Sequence, residues 1–132
     1  AGMAKGAGMI QPNMATMLAF LATDFSVPRS FLQKTLSTAV AGPFNCVTVD
    51  GDMSTNDTVL ALANGFAGNT AIRKASGKDF EVFQAALSHV CLTLAKMIVC
   101  DGEGVHRVVT VRVEGAQSYA DADAAALTNK CK

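Results

Sequence analysis

The sequence predicts an α/β fold with helices packed on a sheet. Three observations point there. A continuous apolar run, Met17–Ala22, has the length and composition of a buried strand. Apolar residues recur at helical spacing from Phe80 to Ile98, a stripe of about five turns. Between and beyond these two segments, strand-like and helix-like patterns alternate with turn signals, with no internal repeat and no low-complexity linker.

Residues 1–15 read as loop with a short extended piece. Residues 16–23 read as a strand covered on both faces, because the run is apolar without alternation. Ser26-Val27-Pro28 announces a helix, with the cap at Ser26 or Val27 and Pro28 in the first turn. Phe31, Leu32, Thr35, Leu36, Ala39 and Val40 share one face of it, and Gly42-Pro43 stops it. Cys46–Val49 reads as a short strand and Asp50-Gly51-Asp52 as a tight turn. Ser54 or Thr55 then caps a helix expected over 56–64, with Gly65 as its stop.

The long helix begins near Asp79. Its stripe is Phe80, Phe83, Leu87, Val90, Cys91, Leu94, Met97 and Ile98, and it ends at Asp101-Gly102. Val109, Val111 and Val113 alternate with Thr110, Arg112 and Glu114, which predicts a strand. Asp121 and Asp123 early, with Lys130 and Lys132 late, suit the dipole of a final helix.

Composition narrows the function classes. Of 132 residues half are apolar and 17% are charged, which fits a packed body and not a disordered chain. Eleven basic and eleven acidic residues cancel, so neither nucleic acid nor an anionic membrane surface is an expected partner. There is no tryptophan and one tyrosine, a poor stock for base stacking. Met17–Ala22 is the longest uninterrupted apolar run, too short to span a bilayer, and the first residues lack a signal-peptide pattern. Cys46, Cys91, Cys100 and Cys131 form no C-x-x-C pair, which argues against zinc and for reduced thiols in an intracellular protein. His89 and His106 have no partner at metal or nucleophile spacing and read as structural.

The chemistry concentrates in K-G-A-G-M-I-Q-P-N-M-A-T-M-L-A-F, Lys5–Phe20. A glycine-rich turn with one lysine leads to Ala15-Thr16, and the apolar run follows at once. A lone hydroxyl there suits a nucleophile, and it equally suits a strand start. The turn is no phosphate-binding loop, since no Gly-Lys-Ser/Thr ending is present. The acidic run Asp50–Asp57 fails as a calcium loop, with Thr55 where glycine is wanted and Ala61 where glutamate is wanted. It reads as a turn and helix cap that buttresses the site.

The Lys5–Phe20 block resembles the processing segment of the ornithine acetyltransferase (glutamate N-acetyltransferase) family. Phe44-Asn45 with Val47–Asp52 and Ser54–Thr58 is similar to that family's second signature, and Asp101-Gly102-Glu103-Gly104 to its third. The resemblance extends over essentially the whole chain. It implies a layered sandwich of helices and sheets, shared with the self-processing β-aminopeptidases, of which this chain is the central portion. It implies a precursor that cuts itself between Ala15 and Thr16, so that residues 1–15 end an α chain and 16–132 begin a β chain. Thr16 is then the catalytic nucleophile, with Lys5, Thr16 and Glu103 in the substrate site. The implied reaction moves acetyl from N-acetylornithine to glutamate in arginine biosynthesis, with no metal or organic cofactor. Some members also use acetyl-CoA as a substrate.

The partners so implied are these small molecules and the other segments of the precursor, assembled as a heterotetramer of processed chains. No nucleic acid or membrane partner is expected. The implied compartment is the cytoplasm, or the mitochondrial or chloroplast matrix in a eukaryote. In the family, a Thr-Gly oxyanion hole lies upstream of this segment, and an Asn and a Ser/Thr contact substrate near the C-terminus. The 132 residues alone are therefore expected to be inactive. Two other readings stand beside this one: a self-processing amidase or β-aminopeptidase, and an inactive homologue or fragment.

Overall fold

A computed structural model describes residues 1–6, 17–48, 57–102 and 104–128. Strand β1 is Gly2–Lys5, β2 is Leu18–Thr23 and β3 is Thr58–Ala63. They form one sheet in the order β1-β2-β3. β1 lies antiparallel to β2, with Gly2 opposite Leu21 and Lys5 opposite Leu18. β3 lies parallel to β2, with Leu18 opposite Thr58 and Thr23 opposite Ala63. Helix α1, Arg29–Ala41, makes the crossover between the two parallel strands. Helix α2, Lys78–Cys100, packs beside α1 and β1. Helix α3, Tyr119–Thr128, closes the described chain. The mixed α/β class read from the sequence is the one observed.

The core lies between one face of the sheet and the two longer helices. Ala19 and Leu21 of β2 join Leu36 and Ala39 of α1 and Cys91, Leu94, Ala95 and Ile98 of α2. Each of the larger side chains contributes about 1.5–3 kcal/mol by leaving water. α1 buries the face that its spacing predicts: Thr35, Leu36 and Ala39 are buried and Phe31, Leu32 and Val40 half-buried. Pro28, expected in the first turn behind a cap at Ser26 or Val27, is itself the N-cap, because its backbone is still extended; its carbonyl accepts from the Phe31 and Leu32 amides at 3.0 and 2.9 Å. At the far end of the parallel pair, the Ser26 amide donates to Asn69 Oδ1 at 2.7 Å. The Asn69 amide group returns a bond to the Ser26 carbonyl, so the exits of β2 and β3 are tied to each other.

Six other expectations change. β2 is covered on one face only among the described residues: Leu18 and Phe20 are about 40% exposed, beside Met3 and Leu60. The helix expected over 56–64 is strand β3. Ser54 and Thr55 promised a helix cap, but pairing along the whole of β2 satisfies the backbone of Thr58–Ala63 instead, and tertiary context overrides the local signal. Residues Phe44–Cys46 form a 3₁₀ turn and Val47 and Thr48 are not in a strand; Asp50-Gly51-Asp52 lies outside the described residues. The Val109–Val113 alternation forms no strand, and Val109 and Val111 stand exposed with no neighbour strand to pair among the described residues. In α2, Met97 is exposed and Ala95 takes the buried position beside Leu94. Lastly, α2 is long and apolar enough by length and composition to cross a membrane. Polar residues break its sequence into short runs, which hid it; here its buried face covers the sheet.

Candidate active site

Met17 is the last described residue before the apolar strand, and it is 6% exposed. Its two backbone groups are both held by the start of β3. The Met17 carbonyl accepts from the Thr58 amide at 2.9 Å. The Met17 amide donates to Asp57 Oδ1, and the pair is partly buried. The parallel ladder thus extends one residue beyond β2, with a carboxylate in place of a backbone carbonyl. A hydrogen bond to an ionised oxygen is about twice as strong as a neutral one. Thr16 is covalently joined to Met17, so this clamp sits one peptide bond from the expected nucleophile. Thr16 and Ala15 themselves lie outside the described residues, as does Glu103.

Lys5 ends β1 directly across from Leu18, so its register puts it at the same end of the sheet as Met17. Its side chain is exposed, and among the described residues it makes no ion pair. α2 packs beside β1. Phe83 and Leu87 lie against Leu21–Asp24, at the far end of β2. Val90 and Leu94 crowd Gly2. From Leu94 to Cys100 a helix advances about 9 Å, and from Gly2 to Lys5 a strand advances about 10 Å. The part of α2 beyond Leu94 and the stretch of β1 beyond Gly2 are thus of similar length. At the C-terminus of α2, Asp101 caps the helix, its N–H donating to the Met97 carbonyl, and Gly104 turns the chain with φ +73°. The residue between Gly102 and Gly104 is Glu103.

Other candidate features lie elsewhere or do no chemistry. The one described cavity, about 470 Å³, opens at the opposite end of β2, among Leu21, Thr23, Asp24, Ala61, Phe83 and Leu87. Along the strand, its lining from Leu21 to Thr23 lies roughly 10–17 Å from Leu18. Among the described residues no three His, Cys, Asp or Glu side chains are placed to hold a metal ion. His89 is exposed on α2 and His106 is exposed in a loop. Cys46, Cys91 and Cys100 are free. Burial pushes the Cys91 thiol up from its ordinary pKa, the opposite of what a reactive cysteine needs. A hydrogen bond to the Cys46 thiol, its Coulomb interaction, slight burial and nearby Asp123 push the Tyr119 phenol up to about 12.

Asp57 belongs to the run expected as a turn and helix cap that buttresses the site, and it precedes a strand instead of a helix. It stood in S-T-N-D-T as part of a turn and cap. The usable signal was its place immediately before a β-branched, alternating T-V-L-A-L-A segment, which marks the entry of a strand.

The profile of the ArgJ family matches residues 1–129. Two similar relatives are called arginine biosynthesis bifunctional protein ArgJ. The mitochondrial protein of Clavispora lusitaniae is 51% identical over 128 residues, covering 97% of this chain and 31% of that protein. The protein of Geobacter sulfurreducens is 53% identical over 133 residues, covering 99% of this chain and 34% of its own length. The crystal structure of ArgJ from Bacillus halodurans superposes with a TM-score of 0.63 at 41% identity, over 67% of this chain and 41% of that one. This chain thus spans about a third of the relatives' length, and it belongs to the ArgJ family.

Proposed function

We propose that this chain is the central portion of an acetyltransferase of arginine biosynthesis whose nucleophile is Thr16. The observation that carries the reading is the family match over residues 1–129, which spans the Lys5–Phe20 block with its Ala15-Thr16 step. In the proposed processing step the Thr16 hydroxyl attacks the Ala15 carbonyl carbon. The amide becomes an ester, and water hydrolyses it, leaving a carboxylate on Ala15 and a free α-amine on Thr16. That amine has a reference pKa of about 7.7–8.0 and serves as the base for its own hydroxyl.

In the transfer cycle the Thr16 oxygen attacks the acetyl carbonyl of N-acetylornithine. The C–N bond breaks, the protonated α-amine of Thr16 returns its proton to the leaving amine, and ornithine departs. The amine of glutamate then attacks the acetyl-threonine ester, giving N-acetylglutamate and the free hydroxyl. Lys5 and Glu103 serve the charged groups of the substrates, the ammonium facing carboxylate and the carboxylate facing ammonium. The word bifunctional in the relatives' names supports a second activity, synthesis of N-acetylglutamate from acetyl-CoA. The relatives' names, bacterial and mitochondrial, support an intracellular site of action.

The full-length parent should carry radiolabelled acetyl from N-acetylornithine to glutamate, and should carry acetyl on the Thr16-bearing peptide when glutamate is left out. Thr16→Ala should do neither. Release of free acetate at the same rate with and without glutamate would instead make the protein an amidase.

A further inference from the structure

We infer that Asp57 is the positioning residue of this active site, holding the Thr16 end of β2 by accepting the Met17 N–H. The inference rests on the reading of Thr16 as nucleophile and adds to it. A peptide unit is planar, so the bond that fixes the Met17 N–H also fixes the plane shared with the Thr16 carbonyl and Cα. Met17 is buried, and a buried amide is paired within the protein. The partner it uses is the side chain immediately before β3, forty positions away in the chain.

The tether matters most after self-cleavage. Before the cut, Thr16 is held from both sides by the chain. After it, Thr16 is a chain terminus, and termini fray unless tied down. Its remaining neighbour, Met17, is then held among the described residues by its side chain in the core and by two polar contacts, the Asp57 carboxylate and the Thr58 amide. A nucleophile that uses its own α-amine as base has to keep hydroxyl, amine and substrate carbonyl in register. A displacement of about 1 Å costs about 10²-fold in rate.

The test uses the full-length parent with Asp57→Ala and Asp57→Asn. Asparagine keeps the Oδ1 acceptor and loses the charge. Asp57→Ala is expected to slow self-cleavage or kcat about 10²-fold, with KM little changed. Asp57→Asn is expected to stay within about 10-fold of the parent. Melting temperatures separate this from loss of fold: the Asn variant, melting close to the parent, carries the comparison if the Ala variant does not fold. Parental cleavage and kcat in Asp57→Ala would overturn the inference and leave Thr16 as nucleophile. Equal loss in both variants would also overturn it, because the acceptor would not be what counts. A parent that neither cuts nor transfers acetyl would overturn the nucleophile reading and this inference together.

Discussion

Truncating Leu94 tests how α2 seats on the sheet. Leu94 is 7% exposed, so Leu94→Ala removes three buried carbon groups, about 2.4 kcal/mol at about 0.8 kcal/mol each. The cavity adds to that, for a total of about 3–4 kcal/mol. The neighbour across the interface cannot collapse into the gap, because it is Gly2. A Cβ built on Gly2 would stand 2.9 Å from Leu21 Cδ2, 2.9 Å from Val90 Cγ1 and 3.0 Å from Leu94 Cδ1. Gly2→Ala alone should therefore cost about 1–3 kcal/mol through overpacking. In the Leu94→Ala background one of the three obstacles is gone and the added methyl partly fills the cavity. The double variant should be more stable than the sum of the single effects by at least about 0.5 kcal/mol. Urea unfolding of the four full-length proteins gives the cycle. Strict additivity, or a Leu94→Ala cost below about 1 kcal/mol, would refute the packing of α2 on β1.

Three further outcomes are expected. Thr35 is fully buried with no partner for its hydroxyl among the described residues; Thr35→Val keeps the shape and should stabilise by about 1 kcal/mol in urea unfolding, whereas a loss of that size would mean the hydroxyl is bonded. Cys91, buried with its thiol pKa raised, should resist alkylation in the native protein and react on denaturation, read by peptide mass mapping. Its folded pKa lies above the unfolded value of about 8.5, so its contribution to stability is present below that pH and lost as pH rises through it; Cys91→Ala should remove this part of the alkaline decline. The outer sheet face, where Met3, Phe20 and Leu60 align across three strands and stand exposed, should make the isolated 132 residues bind a hydrophobic dye. Leu60→Lys should reduce that binding, and an unchanged signal would place the exposed surface elsewhere.

Long periodic segments were legible in the sequence because their own pattern matches what they pack against. α1 and α2 each bury one stripe, and Met17–Ala22 is apolar enough to be a strand in any context. The failures share a cause. Thr58–Ala63 has caps that suit a helix and a pattern that suits a strand, and β2 decides between them. Val109–Val113 has strand alternation and no partner in the described chain. The half-covered state of β2 could not be read either, since an apolar run reports what a strand can bury and not what lies on it. Of the candidate site, Lys5 was legible only through the motif that carries it; its place beside the Met17 end comes from register. The Asp57 clamp was illegible because it joins residues forty positions apart.

The central claim is that Thr16 becomes an N-terminal nucleophile by self-cleavage. Intact mass and N-terminal sequencing of the purified full-length parent, beside Thr16→Ala, test it most directly. The account predicts two chains in the parent, one beginning at Thr16, and a single uncut chain in the variant. A cut at Ala15-Thr16 in both would make the cleavage the work of another agent, and one uncut chain in both would contradict self-processing outright.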